Sequence, residues 1–108
     1  MKTKLRNRRK AHENLLTDAH ENVIRLEANI NYTTFVLDTG KQQTMSYTLA
    51  MYDTILPETF IRINKSYIIN KIFIKSLNSE NKKITLTDGS EFQISRRRWT
   101  KVLKMWYV

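Results

Sequence analysis

Residues 84–95 read Ile84-Thr85-Leu86-Thr87-Asp88-Gly89-Ser90-Glu91-Phe92-Gln93-Ile94-Ser95, and their alternation decides the kind of fold. Ile84 and Leu86 alternate with polar residues, Asp88-Gly89 offers a tight turn, and Phe92 and Ile94 resume the alternation. A period of two lines one face of a strand, and Asp-Gly between two such runs predicts a β-hairpin. On the C-terminal side Ser95 is a good N-cap type, and Trp99, Val102, Leu103 and Trp106 follow at i, i+3, i+4 and i+7. That spacing predicts an amphipathic helix with Arg97, Lys101 and Lys104 opposite the apolar stripe. The stripe reads as core packing, so the two tryptophans anchor the helix rather than stack on bases.

On the N-terminal side, Tyr67-Ile68-Ile69 and Ile72-Phe73-Ile74 read as buried strands, although period alone does not separate such short apolar runs from helix. Thr48 to Leu56 places Leu49, Tyr52 and Leu56 on one helical face and stops at Pro57, which a continuing helix tolerates badly. Val23 to Glu27, with Ile24 and Leu26 in one alternating frame, and Tyr32 to Leu37 are strands. The turn Asp38-Thr39-Gly40-Lys41 leads into Gln42 to Met45. The chain has no internal repeat and no Pro/Gly/Ser-rich linker. Its one composition break falls near residue 10, so residues 1–19 are expected to be a basic arm and lead-in, and residues 20–108 a single domain.

A formal net charge of +9 points to a polyanion, and its distribution says more. Residues 1–10 carry six bases and no acid, while residues 11–58 carry two bases against seven acids. Residues 59–79 hold Arg62, Lys65, Lys71 and Lys75 without an acid, and residues 92–108 hold Arg96, Arg97, Arg98, Lys101 and Lys104 without one. Two acid-free segments in a chain that elsewhere mixes signs favour one shared anion-facing surface over two solvated faces. The arginine triplet strengthens this reading. The positive end of a helix macrodipole disfavours a cation by roughly 0.3–1 kcal/mol at an exposed position, so local energetics prefer Asp or Glu there. A phosphate reverses that preference, because free N–H groups at a helix start and guanidinium forks both bind it.

Other function classes lack the residues they need. With no cysteine there is no disulfide, thiolate metal site or thiol nucleophile. His12 and His20 lie in a polar, charged stretch and read as solvated residues, so no metal and no cofactor are expected. The most apolar stretch, Tyr67 to Ile74, is interrupted by Asn70 and Lys71 and falls far short of the ~20 residues a membrane span requires. Asp88 and Glu91 flank a turn, and no nucleophile–base or paired-carboxylate spacing supports catalysis, so an enzyme is not expected.

The order of motifs resembles the LytTR family of bacterial DNA-binding domains. The first half of the resemblance runs through Ile24-Arg25-Leu26-Glu27-Ala28-Asn29, Asn31-Tyr32-Thr33, Thr48-Leu49 and Leu56-Pro57. The second runs through Phe60-Ile61-Arg62-Ile63-Asn64-Lys65-Ser66-Tyr67-Ile68-Ile69-Asn70, then Ile74, Leu86 to Gly89 and Ile94-Ser95-Arg96-Arg97. It covers about residues 20–106, and its most specific parts are the Phe-Ile-Arg-Ile-Asn-Lys-Ser and Ser-Arg-Arg blocks.

The resemblance implies a mainly β, antiparallel fold with a short central helix and a C-terminal amphipathic helix. It also implies a cytoplasmic transcription regulator that inserts loops, not a recognition helix, into successive major grooves of promoter DNA. Carried over residue by residue, the first loop is Asn31, Tyr32 and Thr33, and the second is Asn64 and Lys65. The third is Arg97 with Arg96 and Arg98, and Lys101 is added for phosphate. Ser66 is assigned to structure and Arg62 to neither role. Arginine is the natural bidentate reader of guanine and asparagine of adenine, which puts Arg97 on a base edge. For Asn31 and Asn64, turn hydrogen bonding competes evenly with a DNA contact. The expected partner is double-stranded DNA with tandem promoter elements, which two copies would occupy side by side or as a weak dimer; no membrane or small-molecule substrate is expected. No receiver domain precedes the motifs, so the sequence reads either as a stand-alone regulator or as an excised output domain. Two alternatives remain: an RNA- or ribosome-associated basic protein, which requires exposed stacking aromatics, and a partner-binding regulatory module.

Overall fold

The computed structural model describes residues 22–107; the expected arm, with His12 and His20, lies outside the described residues. In chain order the elements are β1 (Val23–Asn29), β2 (Tyr32–Leu37), β3 (Gln42–Met45), α1 (Leu49–Ile55), β4 (Phe60–Arg62) and β5 (Tyr67–Asn70). A 3-10 turn (Lys71–Phe73), β6 (Ile74–Asn78), β7 (Lys83–Leu86), β8 (Glu91–Gln93), a second 3-10 turn (Arg96–Arg98) and α2 (Trp99–Tyr107) complete them. The strands form a five-stranded sheet in the order β3-β2-β1-β5-β4 and a three-stranded sheet in the order β6-β7-β8. Every pairing is antiparallel.

The larger sheet is covered on both faces at β5, which explains why Tyr67-Ile68-Ile69 is apolar without a break. Ile68 joins Val23, Leu26, Phe35, Phe60, Leu49 and Tyr52 in a cluster under α1. Ile69 faces the other way, with Ile24, Ile61 and Ile63, into a cluster shared with Ile74, Ile84, Leu86, Ile94 and Val102 of the smaller sheet and α2. Helix α1 starts at Thr48, whose hydroxyl accepts from the Met51 N–H (3.4 Å), and stops at Leu56, which the following proline holds extended. Tyr52 meets the edge of Phe35 at 4.9 Å between ring centres, a geometry worth about 0.5–1.5 kcal/mol beyond burial.

Three expectations change. Ile24 and Leu26 do not share a face, because β1 is bulged: Val23 pairs with Leu37 and Arg25 with Val36, leaving Ile24 extra. The bulge sends Ile24 to one cluster and Leu26 to the other. Arg25 is then carried to the smaller sheet, where it reaches Asp88 (2.9 Å), Ser90 (3.4 Å) and the ring of Phe92 (5.1 Å to its centre). Ile72 and Phe73 lie in a 3-10 turn rather than a strand. Asn70 forces that turn: its Nδ2 donates to the Val23 carbonyl (2.8 Å) and its Oδ1 accepts from the Ile72 N–H (3.3 Å). In α2, Met105 packs on the core together with Trp99 and Trp106, and Leu103 is only half-buried.

The corners Asp38-Thr39-Gly40 and Thr87-Asp88-Gly89 are both three-residue loops with glycine last. In the β7–β8 hairpin the Gly89 N–H donates to Leu86 and the Leu86 N–H to Ser90, and Leu37 to Lys41 repeats the pattern around Gly40. Each glycine has φ +88°, a conformation that side chains resist.

Candidate nucleic-acid interface

The two sheets are joined so that three turns meet along one edge. Strands β1 and β5 pair through Glu27 and Tyr67, and the ladder continues past β5: the Ala28 N–H donates to the Ser66 carbonyl (2.8 Å). The β1–β2 turn therefore stands beside the Asn64-Lys65-Ser66 turn. The Ser95 N–H in turn donates to the Ile63 carbonyl (2.8 Å), which brings the Arg96–Arg98 segment against the same turn from the other side. Main-chain bonds thus fix the spacing of segments that lie far apart in sequence.

Asn64 organises the middle of this edge. Its Oδ1 accepts from the N–H groups of Ser66 (2.7 Å) and Tyr67 (3.0 Å), and its Nδ2 donates to the Gln93 carbonyl (2.7 Å). Arg62 braces the same turn from below, donating to the carbonyls of Asn64 (3.2 Å) and Lys65 (3.0 Å). Between the Asn64-Lys65-Ser66 turn and the Arg96–Arg98 segment lies an open cleft of about 610 Å³, lined by Arg62, Asn64, Lys65, Ser66, Tyr67, Gln93, Ser95, Arg97 and Arg98.

The structure gathers Asn64, Lys65, Arg97 and Arg98 around this cleft, with Lys65, Arg96 and Arg97 exposed. Lys101 instead lines a neighbouring concavity with Asp53, Glu58 and Met105, and Arg62 borders both. At the first turn Asn29 pairs with Tyr32, so only Ile30 and Asn31 form the tip, and Tyr32 opens β2 with about half its surface exposed. Thr33 is corrected: it is fully buried, and its hydroxyl donates to the Tyr47 carbonyl (2.7 Å), so its side chain belongs to the interior rather than to a loop surface.

The electrostatics favour an anion. Among the described residues the ion pairs are those of Arg25 with Glu27 (3.3 Å) and Asp88 (2.9 Å), leaving Lys65 and the arginine triplet without a carboxylate partner. Ser95 flanks the triplet with extended backbone; its carbonyl accepts from the Arg98 N–H (3.1 Å), but its side chain makes no cap and satisfies none of the first-turn N–H groups. Asp88 shows the contrast. Partial burial pushes its carboxyl pKa up, but hydrogen bonds from Ser90 and Arg25 outweigh burial and hold it below the usual carboxylate range.

Sequence reasoning left two positions aside that the structure brings to the edge. Arg62 sits in the acid-free segment that was singled out, but its partners are backbone carbonyls, which charge counting does not reveal. Ile30 carries no charge signal; its only clue is an isoleucine in the two-residue connection between strands.

The class this geometry defines is a small antiparallel β domain with an anion-facing edge, whose cations have no carboxylate partner among the described residues. The LytTr DNA-binding domain family matches residues 14–107, and the chain belongs to that family. A solved structure from Bacillus cereus, described as a LytTr DNA-binding domain, is similar at 24% identity with a TM-score of 0.70, over 79% of this chain and 81% of that one; this likeness is one of fold. No curated protein matches the chain. Among the described residues no helix is long and apolar enough to cross a membrane.

Proposed function

We propose that this DNA-binding domain is a sequence-specific transcription regulator whose three turns enter successive major grooves on one side of promoter DNA. The observation that carries the reading is the hydrogen-bonded alignment of the three turns, with Lys65, Arg97 and Arg98 around the cleft between the second and third and without a carboxylate partner among the described residues. Arg97 reads a base edge, while Arg96, Arg98 and Lys65 bind phosphate and set the register. Asn31 and Tyr32 contact the adjacent groove. Asn64 keeps one amide hydrogen for DNA after closing its own turn, and Lys101 serves at the margin. Residues 20–108 form the reading domain, and the basic residues 1–19 add sequence-independent attraction. Tandem elements bound by side-by-side copies suit a reader that occupies one side of the duplex.

The test is selection of a binding site from random duplex DNA, followed by fluorescence anisotropy on the selected and a scrambled duplex at low and physiological salt. The selected site is expected to keep its preference at physiological salt, and Arg97→Ala to remove about 1–3 kcal/mol of it. Equal binding to both duplexes that collapses with salt would leave only polyanion attraction. Preference for single-stranded RNA over any duplex would replace this reading with that of an RNA-associated protein.

A further inference from the structure

We infer that Ile30 is a specificity residue that contacts the C5-methyl group of a thymine in the groove entered by the first turn. The inference rests on the DNA-binding reading above and deepens it.

Ile30 sits where the fold alone gives no reason for an isoleucine. Its φ is +56°, a left-handed conformation that β-branched residues resist and that glycine or asparagine accepts freely in a two-residue hairpin. Its side chain is 92% exposed, so no core packing offsets the strain. The contrast with Lys82 is informative. That residue has φ +54°, but it lies half-buried and its carbonyl accepts from the Ile94 N–H (2.8 Å) and Gln93 Nε2 (3.1 Å), so the tertiary structure holds it. No such bond holds Ile30. The two-residue turn requires this backbone conformation but not an isoleucine, and a β-branched residue kept there at an exposed position points to a function for the side chain.

The place of Ile30 supplies the ligand. It forms the apex of the turn with Asn31, two residues beyond the Ala28–Ser66 bond that joins this hairpin to the cationic edge. Asparagine side chains read adenine, and every adenine in a duplex faces a thymine whose methyl is the one apolar group on the major-groove floor. An apolar tip beside an amide therefore matches an A·T-containing step. Burying a single methyl group corresponds to roughly a fourfold change in affinity.

The test uses the full chain and the site obtained by selection. Each thymine is replaced in turn by deoxyuridine, which removes only the methyl, and binding is measured for the native chain, Ile30→Gly and Ile30→Asn. The expected result is a loss of about fourfold at one thymine for the native chain and none at that position for either variant. Both variants should also melt at higher temperature, since they relieve the strained turn. If every deoxyuridine replacement costs the variants as much as the native chain, the inference is overturned while site-specific binding stands. If selection yields no preferred site, the regulator reading falls and takes this inference with it.

Discussion

Asn64→Ala separates a structural role from a reading role at the centre of the interface. The side chain accepts two backbone N–H bonds, from Ser66 and Tyr67, and donates one to the Gln93 carbonyl. Truncation leaves two donors and one acceptor without partners in a half-buried turn. Each such bond contributes about 1 kcal/mol net, and water reaches part of the site, so the loss of stability should be about 2 kcal/mol. For a domain of this size that lowers the melting temperature by roughly 10 °C. Urea titration followed by tryptophan fluorescence reads the change directly. Asn64→Asp is the companion variant: it keeps the two accepted bonds, turns a carboxylate toward the Gln93 carbonyl, and should lie between the native chain and Asn64→Ala in stability. If Asn64→Ala unfolds within about 0.5 kcal/mol of the native chain yet loses its preferred DNA site, the amide acts on DNA and its role in closing the turn has been misjudged.

Two further variants probe the interior and the sheet junction. Thr33→Val removes the buried hydroxyl that serves the Tyr47 carbonyl and should cost about 1–2 kcal/mol in denaturant titration while leaving DNA affinity of the folded protein unchanged; weakened binding at unchanged stability would return Thr33 to the interface. Asp88→Asn weakens the tie between Arg25 and the β7–β8 corner. Because the folded-state pKa of Asp88 lies below the ordinary value, its stabilisation is complete above about pH 4 and is lost as pH falls through the depressed value. Native and variant proteins should therefore differ by up to about 1 kcal/mol at neutral pH and converge in thermal melts once acid has protonated the carboxyl, whereas a difference that persisted there would implicate packing instead.

Local pattern made some elements legible and tertiary pairing hid others. The β7–β8 hairpin and helix α1 follow from period and turn chemistry within a dozen residues. The bulge at Ile24 does not, because it is defined by which residues of β2 lie opposite, and Asn70 breaks an apolar run only through a bond to distant Val23. Thr33 carried a readable signal: it shares the period-two frame of Phe35, so a strand starting at Tyr32 already turns it inward. At the interface, counting charges found Lys65 and the arginine triplet. It was silent on Arg62, whose partners are main-chain carbonyls, and on Ile30, whose distinguishing feature is a torsion angle.

The bond from Ala28 to Ser66 also has a kinetic meaning. Strands β6, β7 and β8 follow one another in sequence and close only short loops, so their pairing pays little closure entropy. Strands β1 and β5 lie about 40 residues apart, and their pairing pays a larger closure entropy before it returns any contact. The three-turn edge depends on that costlier pairing and on the Ser95–Ile63 bond, so it is open to loss before the molecule unfolds as a whole. The amides of Ala28 and Ser95 should consequently exchange with solvent through partial opening, ahead of the amides paired within the sheets, and a partly folded chain would carry the positive charge but be unable to discriminate among DNA sequences.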